Sequence, residues 1–240
     1  MKIWLNRLPS AFPRVTDSFR RAGFDPIALP CLQSRALDVS LDPAIVDFDR
    51  FSDVVVTSPE SARLLIDAIT SRWAQWPTTQ RLWAVGSGTA DILGKEVKGV
   101  KTASEPGSAS LIQVIQSVIW AESRLLIVTG RDSGRQFEQL NQTLSYPVSY
   151  LELFELMARF DSEIRTLDDI AAVVHGSTVL VQAFIKAARE NELNVMKYTH
   201  FVTSADAKAQ LPSGCRYHQI NSPTPDAVRL AMQGEESVKD

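Results

Sequence analysis

Short apolar runs alternate with amphipathic stretches along most of the chain. Several runs are followed by apolar residues at helical spacing, as at Ala62, Leu65 and Ile69. Strands that alternate with helices in this way indicate parallel sheets with helices on both faces. The pattern predicts an α/β fold with strands at Ile3–Asn6, Val54–Thr57, Leu82–Val85, Leu125–Thr129, Ile170–Val174 and His200–Thr203.

Capping residues mark the ends of the predicted helices. Ser58 offers a hydroxyl at an N-cap, Pro59 suits the first helical position, and Glu60 places an acid in the first turn. Gly23 suits the left-handed position that ends the first helix. In the second half, Leu180–Ala188 has the apolar periodicity of another helix.

The same order of features occurs twice. Phe51–Ile69 and Leu167–Ile185 each contain an acid-led apolar run that closes on a small hydroxyl residue and then becomes amphipathic. Lys2–Pro30 and Arg124–Val148 each have the pattern of a short strand, an arginine, a helix and a second strand. Self-similarity over such distances is typical of duplicated domains, and two similar domains imply a cleft between them.

Two extended segments set the predicted domain boundaries. Leu29–Leu41 and Val148–Arg159 each follow a strand–helix–strand unit, and neither is glycine-rich. We interpret them as a paired two-stranded ladder that joins two similar domains. The first domain is then discontinuous, residues 1–35 with 160–240; the second is 37–151; the connecting segments are 30–38 and 151–160.

Composition narrows the classes of function. A chain of 240 residues, 45% hydrophobic and 22% charged, is typical of a globular protein with room for two domains. No apolar run is long enough to span a bilayer, so no membrane partner is expected. No secretion signal follows Met1, which predicts a cytoplasmic location.

The net charge and the spacing of possible metal ligands further narrow the classes of function. A net charge of −3 disfavours a nucleic-acid partner. Cys31 and Cys215 are too few for a disulfide framework. His175, His200 and His218 lack the spacing of metal ligands, so no metal site is expected.

Candidate binding residues lie where the predicted strands end. In parallel sheets, ligands bind beyond the carboxyl ends of the strands, where loops lead into helix N-termini. Small residues there let backbone N–H groups approach a ligand, and the helix dipole favours anions. For each Ser or Thr hydroxyl at these positions, the alternative to ligand binding is that it only caps the helix N-terminus. The sequence predicts a site for a molecule with several carboxylates or phosphates, built from Arg7, Thr57, Ser58, Gly86, Ser87, Thr89, Gly130, Arg131, Gly176, Ser177, Thr203 and Ser204.

Several short motifs follow one another in a fixed order, namely Ile3–Arg7, Gly23–Pro30, Asp53–Ser58, Val85–Ala90, Leu125–Arg135 and Ser222–Ala227. Each alone is weakly specific. Together, their order and spacing resemble the uroporphyrinogen-III synthase family over nearly the whole chain. The resemblance implies two α/β domains joined by a two-stranded ladder, and an enzyme of tetrapyrrole (porphyrin and heme) biosynthesis. A monomer is the simplest expectation for the oligomeric state.

The resemblance also implies a reaction. Such a lyase cyclises linear hydroxymethylbilane to uroporphyrinogen III with inversion of ring D. Loss of the terminal hydroxyl as water gives an azafulvene, ring D attacks to form a spiro-pyrrolenine, and fragmentation and reclosure follow. The polycarboxylate substrate suits backbone donors and hydroxyls in an interdomain cleft. No cofactor is expected, and the preceding pathway enzyme is a candidate for transient contact.

The chain departs from the family pattern at the expected proton donor. The family usually has a tyrosine in the ladder strand, and here that position is Phe154. Tyr150 lies earlier on the same stretch, on the same face of an extended segment. His175 ends a predicted strand beside Gly176. Tyr150 and His175 are therefore the candidate donors, with a bound water molecule as the alternative.

Two alternatives to an active synthase remain, and the missing tyrosine motivates the first. One is a catalytically degenerate paralogue that binds tetrapyrroles without turnover. The other is a two-domain binding protein for another anionic small molecule. The isomer formed from hydroxymethylbilane separates an active synthase from a paralogue that only binds.

Overall fold

The computed structural model describes residues 1–77, 79–105, 107–159 and 169–236. Residues 160–168, where the predicted second connecting segment ends and the second repeat copy begins, lie outside the described residues. The strands are Lys2–Asn6 (β1), Asp25–Ile27 (β2), Leu32–Ala36 (β3), Asp53–Val56 (β4), Arg81–Ala84 (β5), Leu125–Gly130 (β6), Ser149–Ala158 (β7), Ala172–His175 (β8), Thr199–Val202 (β9) and Arg216–Gln219 (β10).

Helices follow most of these strands. The α-helices are Phe12–Arg21 (α1), Pro43–Val46 (α2), Pro59–Arg72 (α3), Ser87–Leu93 (α4), Ser108–Val118 (α5), Thr178–Glu190 (α6), Ala205–Ala209 (α7) and Pro225–Glu236 (α8). Short 3-10 helices lie at Pro9–Ala11, Phe48–Arg50, Arg135–Gln142 and Val195–Lys197. None of the helices in the described ranges is long and apolar enough to cross a membrane.

The contacts of the chain divide it into two units. The first unit contains residues 1–34 and the described residues from 157 onward; the second contains Arg35–Leu156. One boundary falls within β3 and the other within β7. The predicted linkers at 30–38 and 151–160 are therefore largely strand in the part of the chain that the structure describes.

In the first unit, the sheet has the strand order β10-β9-β8-β1-β2, and all neighbouring strands are parallel. Alternate residues of β1 pack on opposite faces. Trp4 contacts the Phe184 ring of α6, with ring centroids 5.0 Å apart, while Ile3 and Leu5 pack in the cluster that contains Phe19 of α1. Both faces of the sheet are thus covered by helices.

The second unit has a sheet of order β3-β7-β6-β4-β5, in which β5, β4, β6 and β7 are parallel. Val54 packs in one apolar cluster with Leu65 of α3, and Val55 packs in another with Ile112 of α5. Strand β3 lies beside β7, and the Leu37 N–H donates to the Leu153 carbonyl at 2.9 Å. The predicted fold class, α/β with parallel sheets flanked by helices, is confirmed.

Four strands of one sheet correspond to four strands of the other. Strands β9, β8, β1 and β2 occupy the places that β5, β4, β6 and β7 occupy in the second unit. The place of β10 is taken there by Lys101, which forms an isolated parallel bridge with Trp83. This common order agrees with the duplication inferred from the sequence.

One predicted element has a different form. The segment between β6 and β7, expected to contain an α-helix, forms the 3-10 helix Arg135–Gln142. Gly134 precedes it at φ 75°, a left-handed conformation that glycine adopts without steric cost. Phe137 and Leu140, three residues apart, are both buried. A spacing of three residues fits a 3-10 helix and an α-helix equally well, so the apolar pattern could not distinguish them.

Candidate functional site

In the first unit, the carboxyl ends of the parallel strands lie along one edge of the sheet, which we call the first edge. Arg7, Gly176 and Thr203 directly follow β1, β8 and β9. The Gly176 N–H donates to the Asn6 carbonyl at 3.3 Å. The structure therefore places at this edge five of the predicted binding residues, Arg7, Gly176, Ser177, Thr203 and Ser204.

The Arg7 side chain lies against Gly176. A Cβ atom on Gly176 would be 2.5 Å from Arg7 Nη1 and 2.8 Å from its Cδ, so only glycine permits this approach. Burial lowers the pKa of Arg7. Among the described residues, no carboxylate forms an ion pair with Arg7. A guanidinium is a group that binds carboxylates and phosphates through paired N–H donors.

Two serines at the first edge differ in what their hydroxyls do. The Ser204 hydroxyl accepts from the Ala207 N–H at 3.1 Å and so caps α7. It also lies 3.4 Å from the Thr178 hydroxyl. Ser177 is exposed and makes no side-chain capping hydrogen bond at the start of α6. Ser177 is thus the hydroxyl more open to a ligand.

A buried chain of hydrogen bonds lies directly behind the first edge. Asn6 Nδ2 donates to the Leu180 carbonyl at 2.7 Å and to His175 Nδ1 at 3.0 Å. His175 Nε2 is 3.1 Å from His200 Nδ1, and His200 Nε2 is 3.0 Å from the Val195 carbonyl. Because that carbonyl only accepts and the amide nitrogen only donates, both histidines carry their proton on Nε2.

His175 is fully buried. Both of its ring nitrogens are occupied, and its ring meets Phe184 edge-on with centroids 5.1 Å apart. Burial, and secondarily His200, lowers its pKa well below the usual value. A proton from His175 could reach a bound substrate only if these contacts opened. Its geometry fits the local hydrogen-bonding role better than that of a proton donor.

The second unit has a corresponding second edge. Thr57 follows β4, Gly86 lies two residues beyond β5, and Gly130 ends β6. The Thr57 hydroxyl donates to the Val128 carbonyl at 3.1 Å. The Ser58 hydroxyl accepts from the Ser61 N–H at 3.0 Å and caps α3 as predicted. The structure places here Thr57, Ser58, Gly86, Ser87, Thr89, Gly130 and Arg131.

Members of this second set differ in exposure. Ser87 is exposed, and the space beside Gly86 is open, with no atom within 4 Å of where a Cβ would lie. Thr89 is buried within α4, so its side chain is not presented at the surface. Gly86 and Ser87 therefore form the accessible part of this loop.

Two glutamates of β7 bind the loop that follows β6. Glu155 forms ion pairs with Arg131 and with Arg35 of β3. Glu152 Oε1 accepts from the Asp132 N–H at 3.1 Å and from Arg135 Nη2 at 2.7 Å. The loop is thereby held against β7, with Arg131 already paired to a carboxylate.

Phe154 covers the glycine that ends β6. Two atoms of its ring would lie 2.8 Å from a Cβ on Gly130, and the side chain is buried. Its carbonyl accepts from the Arg131 N–H at 2.7 Å. The ring thus packs against the backbone of Gly130 at the start of the loop.

The prediction that Tyr150 and Phe154 share a face of β7 was wrong. Thr129 pairs with Glu152 and Gly130 with Phe154, so β7 contains an extra residue at this point. Such a β-bulge reverses the alternation of side chains beyond it. Tyr150 consequently packs with the α5-side cluster, and Phe154 packs with the α3-side cluster.

Tyr150 nevertheless contacts the same loop. Its hydroxyl lies 3.4 Å from the Gly134 carbonyl, and the Arg135 guanidinium lies 4.3 Å from its ring centroid. Burial, with a smaller effect of Glu138, raises its pKa. Tyr150 therefore packs against the loop that follows β6. It pairs with Ile127 in the middle of β6 and not with the end of that strand.

A family profile described as "Uroporphyrinogen-III synthase HemD" matches residues 14–214. The chain belongs to the uroporphyrinogen-III synthase family. Members of this family are cyclising lyases of heme biosynthesis. No curated protein sequence matches the chain.

Solved uroporphyrinogen-III synthases have the same fold. A mutant uroporphyrinogen III synthase from the extreme thermophile Thermus thermophilus aligns with a TM-score of 0.62 at 12% identity, covering 99% of both chains. The uroporphyrinogen-III synthetase from Helicobacter pylori gives the same TM-score, identity and coverage. At this identity the likeness shows the fold, while the profile shows the family.

Sequence reasoning missed several polar strand residues that the structure places near the two edges. Asn6 and His200 build the buried network, and Glu152 and Glu155 hold the loop. For Asn6 and His200 the available signal was residue type, because a polar residue at a buried strand position requires a partner. Among the described residues, no group of three or more His, Cys, Asp and Glu could hold a metal ion.

Proposed function

We propose that the chain is an active synthase that cyclises hydroxymethylbilane to uroporphyrinogen III, with inversion of ring D through a spiro intermediate. The observation that carries the proposal is an arginine beside a glycine at the carboxyl edge of each sheet. Arg7 lies against Gly176 at the first edge, and Arg131 follows Gly130 at the second. Each edge supports binding of carboxylates of the substrate.

At the first edge, Arg7 supplies the charge. A guanidinium without an acidic partner among the described residues can bind a carboxylate through two parallel N–H donors. The exposed Ser177 hydroxyl adds a donor beside it. Thr203 and Ser204 extend the same edge, with Ser204 already engaged as a cap. The first edge thus combines one strong and several weak donors.

At the second edge, Gly86 and Ser87 offer backbone and hydroxyl donors, with Thr57 and Ser58 on the adjoining loop. The Arg131 guanidinium has Glu155 as a partner. A substrate carboxylate would share Arg131 with that glutamate or displace it. Binding here therefore depends on ionic strength more than binding at Arg7 does, because exposed charges are screened.

Catalysis rests mainly on holding the linear tetrapyrrole in the conformation that lets ring D attack. Hydroxymethylbilane closes by itself to the wrong isomer, so positioning decides the product. The hydroxyl leaves as water after it takes up a proton. Because His175 is enclosed and Tyr150 contacts Gly134, we assign the proton to a water molecule at the edges. Proton transfer then contributes less than positioning.

A cytoplasmic location and a transient contact with the preceding pathway enzyme complete the proposal. Cys31 and Cys215 are both free thiols, as in a reducing compartment. The instability of the linear substrate favours short transfer between the two enzymes. Neither point is needed for the chemistry.

The deciding experiment measures the ratio of uroporphyrinogen isomers formed from hydroxymethylbilane, supplied by its precursor synthase, with and without this protein. Predominantly isomer III is expected. Isomer I alone would overturn the proposal and favour the paralogue that only binds, the alternative that Phe154 motivates.

A matched pair of variants tests the role of Arg7. Arg7→Met should lower kcat/KM about tenfold to a hundredfold, since a hydrogen bond to a charged group is worth about 1.5–3 kcal/mol. Arg189→Met removes the same charge from an exposed position near the end of α6 and should change kcat/KM little. Equal effects of the two variants would argue against Arg7 as a ligand of the substrate.

A further inference from the structure

We propose that Asn6, His175 and His200 form a positioning network, which sets the Arg7 guanidinium against Gly176 for a substrate carboxylate. This inference rests on the proposed function, because it concerns how that site is held. None of the three residues touches the substrate; they act through the residues that follow them.

The network joins the elements that carry the first edge. Asn6 immediately precedes Arg7, and His175 immediately precedes Gly176. The Asn6 amide bonds the His175 ring at the end of β8 and the Leu180 carbonyl in the first turn of α6. One side chain therefore ties together the ends of β1 and β8 and the start of α6.

Packing around Gly176 links the position of the Arg7 guanidinium to these hydrogen bonds. Gly176 lies between Arg7 and Leu180: a Cβ there would be 2.8 Å from Arg7 Cδ and 3.0 Å from Leu180 Cδ1. The Leu180 residue that fills one side of Gly176 is also the acceptor of the Asn6 amide. A small shift between β1 and β8 would therefore move Arg7 relative to the Gly176 backbone.

The hydrogen bonds of the network all run in one direction. Asn6 donates to His175, His175 donates from Nε2 to His200, and His200 donates from Nε2 to the Val195 carbonyl. All three side chains are fully buried, so water does not compete for these bonds. The arrangement fixes one tautomer and one ring orientation for each histidine.

The Asn6 amide carries one cost that its hydrogen bonds must offset. Its Oδ1 is buried and has no hydrogen-bond partner among the described residues, an arrangement that costs free energy. An apolar residue at this strand position would remove that cost but would leave the buried His175 Nδ1 without its donor. The amide thus holds His175 and Leu180 at the expense of one unsatisfied acceptor, which fits a side chain that orients its neighbours.

The test compares KM and kcat for variants of the network. Asn6→Leu removes both donors at similar volume, and His175→Leu removes the acceptor. Both should lower kcat/KM by up to the roughly tenfold to hundredfold loss expected for Arg7→Met, because the network acts only through Arg7. The loss should fall on KM, because Arg7 binds the carboxylate equally before and during the reaction.

Rescue and control variants separate positioning from loss of packing. His175→Asn places a carbonyl oxygen near the site of Nδ1, so it should recover most of the KM that His175→Leu loses. Val228→Ala trims a buried residue in the cluster on the opposite face of the same sheet. It should lower the unfolding free energy and leave KM unchanged.

An NMR measurement reports on the network independently of turnover. The ¹⁵N shifts of His175 and His200 should show both rings protonated at Nε2 in the wild type, and Asn6→Leu should release the His175 tautomer. Either Nδ1–H histidines in the wild type or an unchanged KM in Asn6→Leu would overturn the inference. A wild type that yields only isomer I would instead overturn the proposed function, and this inference with it.

Discussion

At the scale of single residues, Gly130 and Phe154 share one small volume. The Phe154 ring occupies the place where any side chain at Gly130 would begin. A tyrosine at position 154 would carry its hydroxyl at the ring atom that already touches this glycine. Position 154 therefore makes an apolar contact with the backbone, and its side chain has no hydroxyl that could donate a proton.

This contact predicts that substitutions at Gly130 and Phe154 have non-additive effects on the free energy of unfolding. Gly130→Ala should lower the unfolding free energy by about 1–3 kcal/mol through overpacking. Combining it with Phe154→Leu should cost less than the sum of the single changes, because contacting sites are not additive. Urea denaturation measures all three proteins.

Gly86→Ala is the control for the same substitution in open space. No atom lies within 4 Å of a Cβ at that position, and its φ of −153° is accessible to alanine. It should therefore destabilise the protein less than Gly130→Ala. Equal costs at the two glycines would contradict the steric explanation.

At the scale of elements, the bulge in β7 decides which acids reach the neighbouring loop. Glu152 and Glu155 are separated by an odd number of positions, so a regular strand would point them to opposite faces. Because the bulge adds one residue between them, both side chains lie on the same face of β7. Both glutamates then contact the loop that carries Arg131 and Arg135.

Glu155→Gln should strengthen substrate binding rather than weaken the fold. Arg131 and Arg35 are exposed and their ion pairs with Glu155 contribute about 1 kcal/mol or less. Removing the glutamate leaves two unpaired guanidiniums for a polyanion, so KM should fall. The effect should vanish at high salt, where the charges are screened.

Glu190→Gln provides the matched control for Glu155→Gln. Glu190 is exposed at the end of α6, where it lies 3.9 Å from Lys186. The substitution changes the net charge equally but should leave KM unchanged. If both variants lowered KM alike, the overall charge of the protein, and not Arg131, would explain the change.

At the scale of the whole molecule, the two buried histidines couple stability to pH. Burial lowers the pKa of both His175 and His200. In the unfolded chain, each would take up a proton near pH 6.5. The unfolded state therefore binds more protons below this pH, and the free energy of unfolding decreases as the pH falls.

We expect the free energy of unfolding to change little between about pH 7 and 7.5 and to fall from about pH 6.5 downward. The slope should approach about 1.4 kcal/mol per pH unit for His175, whose pKa lies well below its usual value, with a smaller contribution from His200. Urea unfolding between pH 5 and 7.5 measures it. His175→Asn should remove the larger part of the slope, while Val228→Ala should lower stability and keep the slope. A flat profile in the wild type would contradict the assignment of two buried neutral rings.

Much of the fold was predictable because it depends on local pattern. The apolar runs gave the positions of the central strands to within a residue or two, and Ser58 marked the start of α3. Because parallel strands share one carboxyl edge, the residues after them could be grouped from the order of strands and helices alone. The buried location of Thr89 and the pairing of Arg131 with Glu155 could not be predicted, since neither leaves a local pattern.

The sequence by itself determined the strand–helix order, the duplicated arrangement, the family and the edges that carry the candidate site. The family rests on the resemblance carried by the ordered motifs, while the other three follow from periodicity and capping, which act between near neighbours. Tertiary structure alone decided the face of β7 that Phe154 occupies, the 3-10 form of Arg135–Gln142, and the network at the first edge. Asn6 meets a histidine 169 positions away, and such a contact exists only after the parallel sheet has brought the ends of β1 and β8 together.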